Sequence, residues 1–267
     1  MVFIQYNSDL HIDKFPIGTS FYSFITPAAP ILILAGDVCP VLHPLFSPFL
    51  TWCSRHWHTV ILVAGNHEYY CKEQRIVPHT EIDARIYAIT KRLENFIYLQ
   101  NGAKYQLPRT NITFVGSTLW SNIDQQIHEE IRGKKGEYRY IYVDQKTTAT
   151  PQDITALHTS HKAALRAAIQ SVPQNQSIIV ITHHIPTERL LEPEYRQEAW
   201  RSCYASSDED LFSKGIHTWI CGHGHRSTTI RHKKMKLRMN ARGYNKPSEL
   251  ERTVDIYSPT RCFGFNT

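Results

Sequence analysis

Five short blocks of this sequence hold side chains that can bind metal ions or move protons. They are Ser8-Asp9-Leu10-His11, Gly36-Asp37, Gly65-Asn66-His67-Glu68, Thr182-His183-His184 and Gly222-His223-Gly224-His225. Carboxylates and imidazoles together suit first-row divalent ions such as manganese, iron, zinc, cobalt or nickel. A pair of such ions about 3.5–4 Å apart needs a bridging carboxylate and a cluster of donors on each side. The blocks supply enough donors: two carboxylates, one amide and four or five histidines. Taken singly, an Asp after a strand is ordinarily a turn or cap residue. A lone His such as His43, His79 or His158 reads as a surface or cap residue. The repetition of the pattern, not any one residue, points to a site.

Each block follows an apolar run. Val2–Tyr6, Ile31–Ala35, Val60–Ala64, Ser177–Ile181 and His217–Cys221 read as strands, several of them apolar enough to be buried on both faces. In open α/β sheets, ligands bind beyond the carboxyl ends of the strands. Glycine at three of the turns lets the backbone bend sharply there. Helices are expected over Leu42–Trp57, with Pro44 and Pro48 blurring its start, and from Thr80. Thr80 can cap that second helix, with Glu81 and Asp83 in its first turn and Ile82, Ile86, Ile89 and Leu93 on one face. A third is expected to run from a Thr150 cap, with Pro151 and Asp153 in the first turn, to Gln170; Leu157, Leu165 and Ile169 would face inward. Lys104–Leu107 and Ile112–Val115 read as a strand pair, Thr228–His232 and Met235–Met239 as a hairpin, and Val254–Tyr257 as a last strand. Arg189–Asp210 is polar and irregular, with some helix expected. This order predicts an α/β layered domain over residues 1–267. Residues 121–150 break the rhythm and read as an insertion or lid, with Tyr138, Tyr140 and Tyr142 alternating as on one strand face. That face would serve either packing or the stacking of a ring.

Composition narrows the function classes. The 267 residues are 42% hydrophobic and include 11 Phe and 5 Trp, which excludes disordered and collagen-like chains. No apolar stretch approaches the roughly 18 residues of a membrane span. The first residues lack a basic region and a cleavage site, so a strand is expected there instead of a signal peptide. Six widely spaced cysteines without a Cys-x-x-Cys argue against a disulfide framework or a zinc knuckle, and a cytoplasmic location is expected. Thirty basic and 24 acidic residues give a net charge of +6, which suits phosphate-bearing partners without implying a nucleic-acid binder. Arg226–Lys246 carries eight Lys and Arg and no acid; it reads as a solvated strand pair or as an electropositive rim beside an anionic substrate.

The ordered blocks resemble the calcineurin-like metallophosphoesterase family, whose signature runs Asp-x-His, Gly-Asp, Gly-Asn-His with Glu or Asp, a His near a strand end, and Gly-His-x-His. A further similarity to a soluble bacterial-type branch lies in Thr182–Thr187, Trp219–His225 and Asn240-Ala241-Arg242-Gly243-Tyr244. Thr187 stands where Ser is usual and Gly224 where Thr is usual, neither at a ligand position. The resemblance implies a four-layer α/β/β/α sandwich of two mixed sheets flanked by helices; the strand pattern alone does not reveal the second sheet. It implies that Asp9, His11 and His225 hold one metal, that Asn66, His183 and His223 hold another, and that Asp37 bridges them. Two divalent ions are implied, manganese first, with iron, zinc, nickel or cobalt as alternatives. A hydroxide between them would attack phosphorus in line. His67 would act on the leaving-group side, oriented by Glu68, and Asn240 and Arg242 would meet the substrate. His184 reads as structural. The implied activity is hydrolysis of phosphomonoesters or phosphodiesters on a phosphorylated small molecule or nucleotide. Cyclic-nucleotide or nucleotide phosphodiesterase action is the alternative. A non-catalytic scaffold on the same fold is a reading of another class, and the full donor set argues against it. Nucleic acid is not favoured as a substrate, and neither a membrane nor a specific protein partner is predicted.

Overall fold

The computed structural model describes residues 1–72, 75–244, 246 and 256–265. In one sheet β1 (Val2–Asn7), β2 (Ile31–Ala35), β3 (Thr59–Val63) and β4 (Phe96–Tyr98) run parallel. In a second sheet β5 (Ala103–Gln106), β6 (Ile112–Ser117), β7 (Ser177–Thr182), β8 (Ile216–Cys221), β9 (Thr229–His232) and β10 (Met235–Met239) take the order β5-β6-β7-β8-β10-β9. There β6, β7, β8 and β10 are parallel, while β5 and β9 run antiparallel at the edges. The first sheet is completed by β11 (Cys262–Phe265), antiparallel to β1. Of the expected last strand, residues 254 and 255 lie outside the described residues, and Ile256 and Tyr257 belong to no strand.

The continuous apolar runs follow from three separate cores. Ile31, Ile33, Ile61, Val63, Phe114, Ile179 and Ile181 meet between the two sheets. The alternate residues Leu32, Leu34, Val60 and Leu62 face a second core, and Val115, Ile178 and Val180 face a third. A strand covered on both faces has no polar side, so it cannot show period-two alternation. The second core is closed by α1 (Phe46–His56) and α2 (His79–Thr90). The third is closed by the last half of a longer helix, through Leu165 and Ile169. The stack is therefore α/β/β/α.

α2 starts at His79, so Thr80 is not its cap: Pro78 precedes the helix and its carbonyl accepts from Glu81 N–H at 2.9 Å. Within residues 121–150 lie two single-turn helices, α3 (His128–Ile131) and α4 (Glu137–Tyr140). Tyr138 and Tyr140 thus sit on a helical turn and do not share a strand face, because Tyr140 N–H bonds back to the Gly136 carbonyl at 2.9 Å. Ile127, Ile131, Tyr138 and Ile141 are buried in the second core. The longer helix, α5 (Pro151–Gln170), starts as expected. Thr150 Oγ1 accepts the Asp153 N–H at 3.2 Å, and Asp153 Oδ2 accepts the Thr150 N–H at 2.8 Å. Removing such a cap costs about 1 kcal/mol. Thr150→Ala should lower the urea midpoint by that equivalent in chelator; an unchanged midpoint would show that the cap contributes nothing.

Candidate active site

The carboxyl ends of β1, β2 and β3 in one sheet and of β7 and β8 in the other come together at one edge of the sandwich. There the chain must turn at once to aim short side chains inward. Asp9 (φ 52°), His11 (φ 44°), Asp37 (φ 56°), His223 (φ 67°) and His225 (φ 47°) all adopt the left-handed conformation. For residues with a Cβ this costs of order 1–3 kcal/mol each and persists only where the surroundings enforce it. Two glycines leave room for the crowding. A Cβ on Gly36, itself at φ 85°, would lie 2.5 Å from His183 Nδ1. A Cβ on Gly65 would collide with the Asp37 carboxylate.

Two donor clusters result, sharing Asp37. Asp9, His11 and His225 form one, Asp37, His183 and His223 form the other, and a third group of His11, Asp37 and His67 links the first to Asp37. Asp37 turns one oxygen to each side: Oδ1 lies 3.3 Å from His183 Nε2 and Oδ2 3.8 Å from His11 Nε2. His11 Nε2 and His225 Nε2 face each other at 3.1 Å. On the second side Asn66 Oδ1 lies 3.0 Å from His183 Nε2 and 3.1 Å from His223 Nδ1. The other ring nitrogens sit against backbone carbonyls, His183 Nδ1 at 2.9 Å from Ala35 O and His223 Nε2 at 3.2 Å from Cys203 O. A nitrogen that donates there leaves its partner nitrogen with a free lone pair. The chemistry of the second cluster is then acceptors pointing at acceptors unless a proton on His183 or a metal ion lies between them. Donor types and arrangement fit two divalent ions.

Electrostatics agree. Burial keeps His11 well below its ordinary value and brings His223 to about 3 and His67 to about 4, so these rings stay neutral. Burial also opposes charge on His183, but the Asp37 and Asp9 carboxylates outweigh it and raise the ring to about 10. A proton and a metal ion compete for that lone pair, so loading an ion would release a proton.

The remaining expected residues separate. His67 packs beside the clusters, with Nε2 3.9 Å from Asp37 Oδ2 and 3.0 Å from the Tyr244 hydroxyl. Glu68 departs from its expected task of orienting His67. Its carboxylate is fully buried and accepts the N–H groups of Asp37 (2.9 Å), Val38 (2.7 Å) and Gly65 (2.7 Å), tying two donor turns together. Burial and the nearby Asp37 carboxylate push it up to about 8. Asn240 departs too. Its amide donates to the carbonyls of Tyr6 (2.9 Å) and Ser258 (2.8 Å) and its oxygen accepts from Ser258 N–H (3.0 Å), so its polar groups are used in holding backbone. The Arg242 guanidinium lies over the rings of Phe15 (4.2 Å) and Phe24 (4.9 Å) and not among the residues that line the site cavity. The His184 ring packs tilted against His223, with centroids 4.2 Å apart, and belongs to neither cluster.

A cavity of about 330 Å³ opens beside the clusters. Its wall includes Tyr70, Lys135, Glu137, Tyr204, Tyr244 and Lys246, none of which the sequence pattern singled out as a functional residue. The Gly-Tyr at 243–244, next to the expected Arg242, and the basic stretch that ends at Lys246 are the hints the sequence offers. The basic stretch 226–246 is chiefly the β9–β10 hairpin, with Lys246 alone of its cations on the cavity wall among the described residues. The Glu68 contacts yield a test: Gln cannot accept from three N–H groups without turning its own NH₂ on one of them. At a pH above about 8, where Glu68 is ionised, Glu68→Gln should lower stability by about 1–3 kcal/mol and weaken metal binding with it. Chemical denaturation and a metal titration check this, and wild-type behaviour in both would refute the clamp.

Comparison with known proteins agrees with this geometry. The family model for calcineurin-like phosphoesterases matches residues 8–227, a span that holds all five blocks. An uncharacterised protein of Acanthamoeba polyphaga mimivirus is 23% identical over 261 residues, 92% of each chain. The crystal structure of the phosphopantetheinyl hydrolase from Mycobacterium tuberculosis shares the fold with a TM-score of 0.71 at 16% identity, covering 94% of this chain and 93% of that one. With the match extending over most of its length and its donors gathered at the matching strand ends, the chain belongs to the calcineurin-like phosphoesterase family.

Proposed function

We propose that this chain hydrolyses a phosphate ester of a small molecule, as a metal-dependent phosphomonoesterase or phosphodiesterase. The observation that carries the reading is the pair of donor clusters sharing Asp37 at the mouth of a cavity. When bound, two divalent ions supply Lewis acidity that makes water nucleophilic at neutral pH and offsets charge on the phosphoryl group. Manganese is our first choice, with iron, zinc, nickel or cobalt as alternatives. Asp9, His11 and His225 would hold one ion, Asn66, His183 and His223 the other, and Asp37 both. We take residues 1–267 as one catalytic domain in which 121–150 is an insertion. All six cysteines are free thiols, which supports a reducing compartment and our assignment to the cytoplasm.

His67 stands at the cavity wall beside Tyr244. To hand a proton to the leaving oxygen it would have to enter the step as the imidazolium, a state that Asp37 favours and burial opposes; the Nε2 proton would then pass to the leaving oxygen and leave a neutral ring, with the Tyr244 hydroxyl steering it. Tyr70, Tyr195, Tyr204 and Tyr244 contribute to the cavity wall. Their rings favour a second, narrower reading in which the leaving group carries a planar base, as in a nucleotide phosphodiesterase. A panel of aryl and alkyl monoesters and diesters, cyclic nucleotides, nucleotide pyrophosphates and a phosphopantetheine ester separates these readings.

Prolonged chelation should abolish hydrolysis, and manganese should restore it. Asp37→Asn should weaken both ions, because each loses a share of one carboxylate. Full activity in chelator, or two tightly held ions in that variant by elemental analysis, would contradict the proposal. His67→Ala should keep both ions while losing activity on alkyl esters by about 10²–10⁴-fold. Nitrophenyl esters, whose leaving groups need no proton, should suffer less. Equal losses in kcat/KM on the two ester types would remove the proton-donor role.

A further inference from the structure

The two donor clusters are not built alike. Both are drawn from β-strand ends and their turns, but the first uses only carboxylate and imidazole donors. The second depends on Asn66, whose side chain offers an acceptor oxygen at one end and a two-proton donor at the other. Only the oxygen can serve a cation. A half-turn about the last side-chain bond would aim two N–H groups at the ion instead, so something must fix the amide.

From these contacts we infer that Glu137 is a positioning residue for the second metal site, acting through Asn66. This rests on reading the site as a dinuclear centre. Asn66 Nδ2 donates to Glu137 Oε1 at 2.7 Å and to the Tyr70 hydroxyl oxygen at 2.9 Å. The Tyr70 hydroxyl in turn donates to the same Oε1 at 3.1 Å. That last bond decides the polarity of the group. With its proton committed to Glu137, the Tyr70 oxygen can only accept from Asn66. Both amide protons are then used on the insertion side, and Oδ1 is left facing His183 and His223. Without Glu137 the Tyr70 hydroxyl is released to donate to Asn66, and the flipped amide becomes as good a partner. Gly136 supports the arrangement, since a Cβ there would lie 2.5 Å from the Tyr70 hydroxyl. Glu137 acts as an acceptor in either protonation state, so a neutral acceptor of the same length should suffice.

The test is a manganese titration of chelator-stripped protein, by calorimetry and by elemental analysis after dialysis. Wild type should take two ions. Loss of a group that orients a metal ligand typically costs 10–100-fold in affinity. Glu137→Ala should therefore weaken the second ion by about that factor and leave the first, while Glu137→Gln should stay close to wild type. If Glu137→Ala fails to fold, Asn66→Asp substitutes for it. That change sets two carboxylates against each other, and it should lose the second ion although a carboxylate is ordinarily a strong ligand. Asn66→Asp combined with Glu137→Gln should regain it. Wild type binding fewer than two ions would overturn the dinuclear reading itself. Two ions in wild type with unchanged affinity in Glu137→Ala, or equal affinities in Asn66→Asp and the double variant, would overturn the role of Glu137 alone.

Discussion

Asp9 and Asp37 are 0% and 2% exposed, and at least one of them carries charge into the interior. An unpaired ion there costs several kcal/mol. The architecture around the site answers that cost. Asp37 accepts the His67 N–H at 2.8 Å and lies against His183, whose positive form it favours; although burial resists it, the Asp37 carboxyl is held well below its ordinary range. Asp9 accepts the His223 N–H and the Ser8 hydroxyl, but burial still pushes it up. These partners come from both sheets, so two separate sheets must end at the same edge before either carboxylate is tolerable. A four-layer stack with parallel strands in both sheets provides this.

The same convergence explains the backbone strain. Five donors in the left-handed region would relax if their neighbours let them. Asp9, His11 and Asp37 are held by a mesh of main-chain bonds: Asp9 N–H to Gly36 O at 3.0 Å, His11 N–H to Asp37 O at 3.0 Å, Ile12 N–H to Val38 O at 2.9 Å and Gly243 N–H to Asp9 O at 3.1 Å; His223 is held by its N–H to Asp9 Oδ1 at 3.0 Å. Glu68 adds three more bonds to the same turns. A carboxylate one residue from His67 thus works on the scaffold and not on the reacting groups. Asn240 does similar work for β1 from the other side.

What could be read from the sequence depended on how far each property is intrinsic to a residue. Residues that can bind metal announce themselves by type, and the strands ahead of them by unbroken apolar runs, so Asp9, His11, Asp37, His183, His223 and His225, which the structure gathers, and Asn66 beside them are legible. β4 has three residues, too few for any period, and β11 (Cys-Phe-Gly-Phe) carries a glycine that masks its strand character. The second sheet was not legible because a strand does not encode which sheet it joins. Glu137 is 71 residues from Asn66, in a segment without periodicity, and nothing but the fold brings them together. Arg242 misled for the opposite reason: its neighbourhood in sequence matched a site, while its guanidinium packs on Phe15 and Phe24.

The pairing of β1 with β11 sets an order of events. β1 lies between β2 and β11, in a register that puts Val2 opposite Phe265. The strand that delivers Asp9 and His11 is thus made well before its β11 partner and is among the last to be fully paired. Its ladder on one side must wait for residues more than 250 positions later. Closing such distant contacts is slow, because the chain entropy is lost before the contacts form. During synthesis the nascent chain carries its first donors on an open strand edge, without His223 and His225 to complete either cluster. The donor groups are complete only once residues 223–225 have been made, so a polypeptide that stops short of them lacks one donor of each cluster.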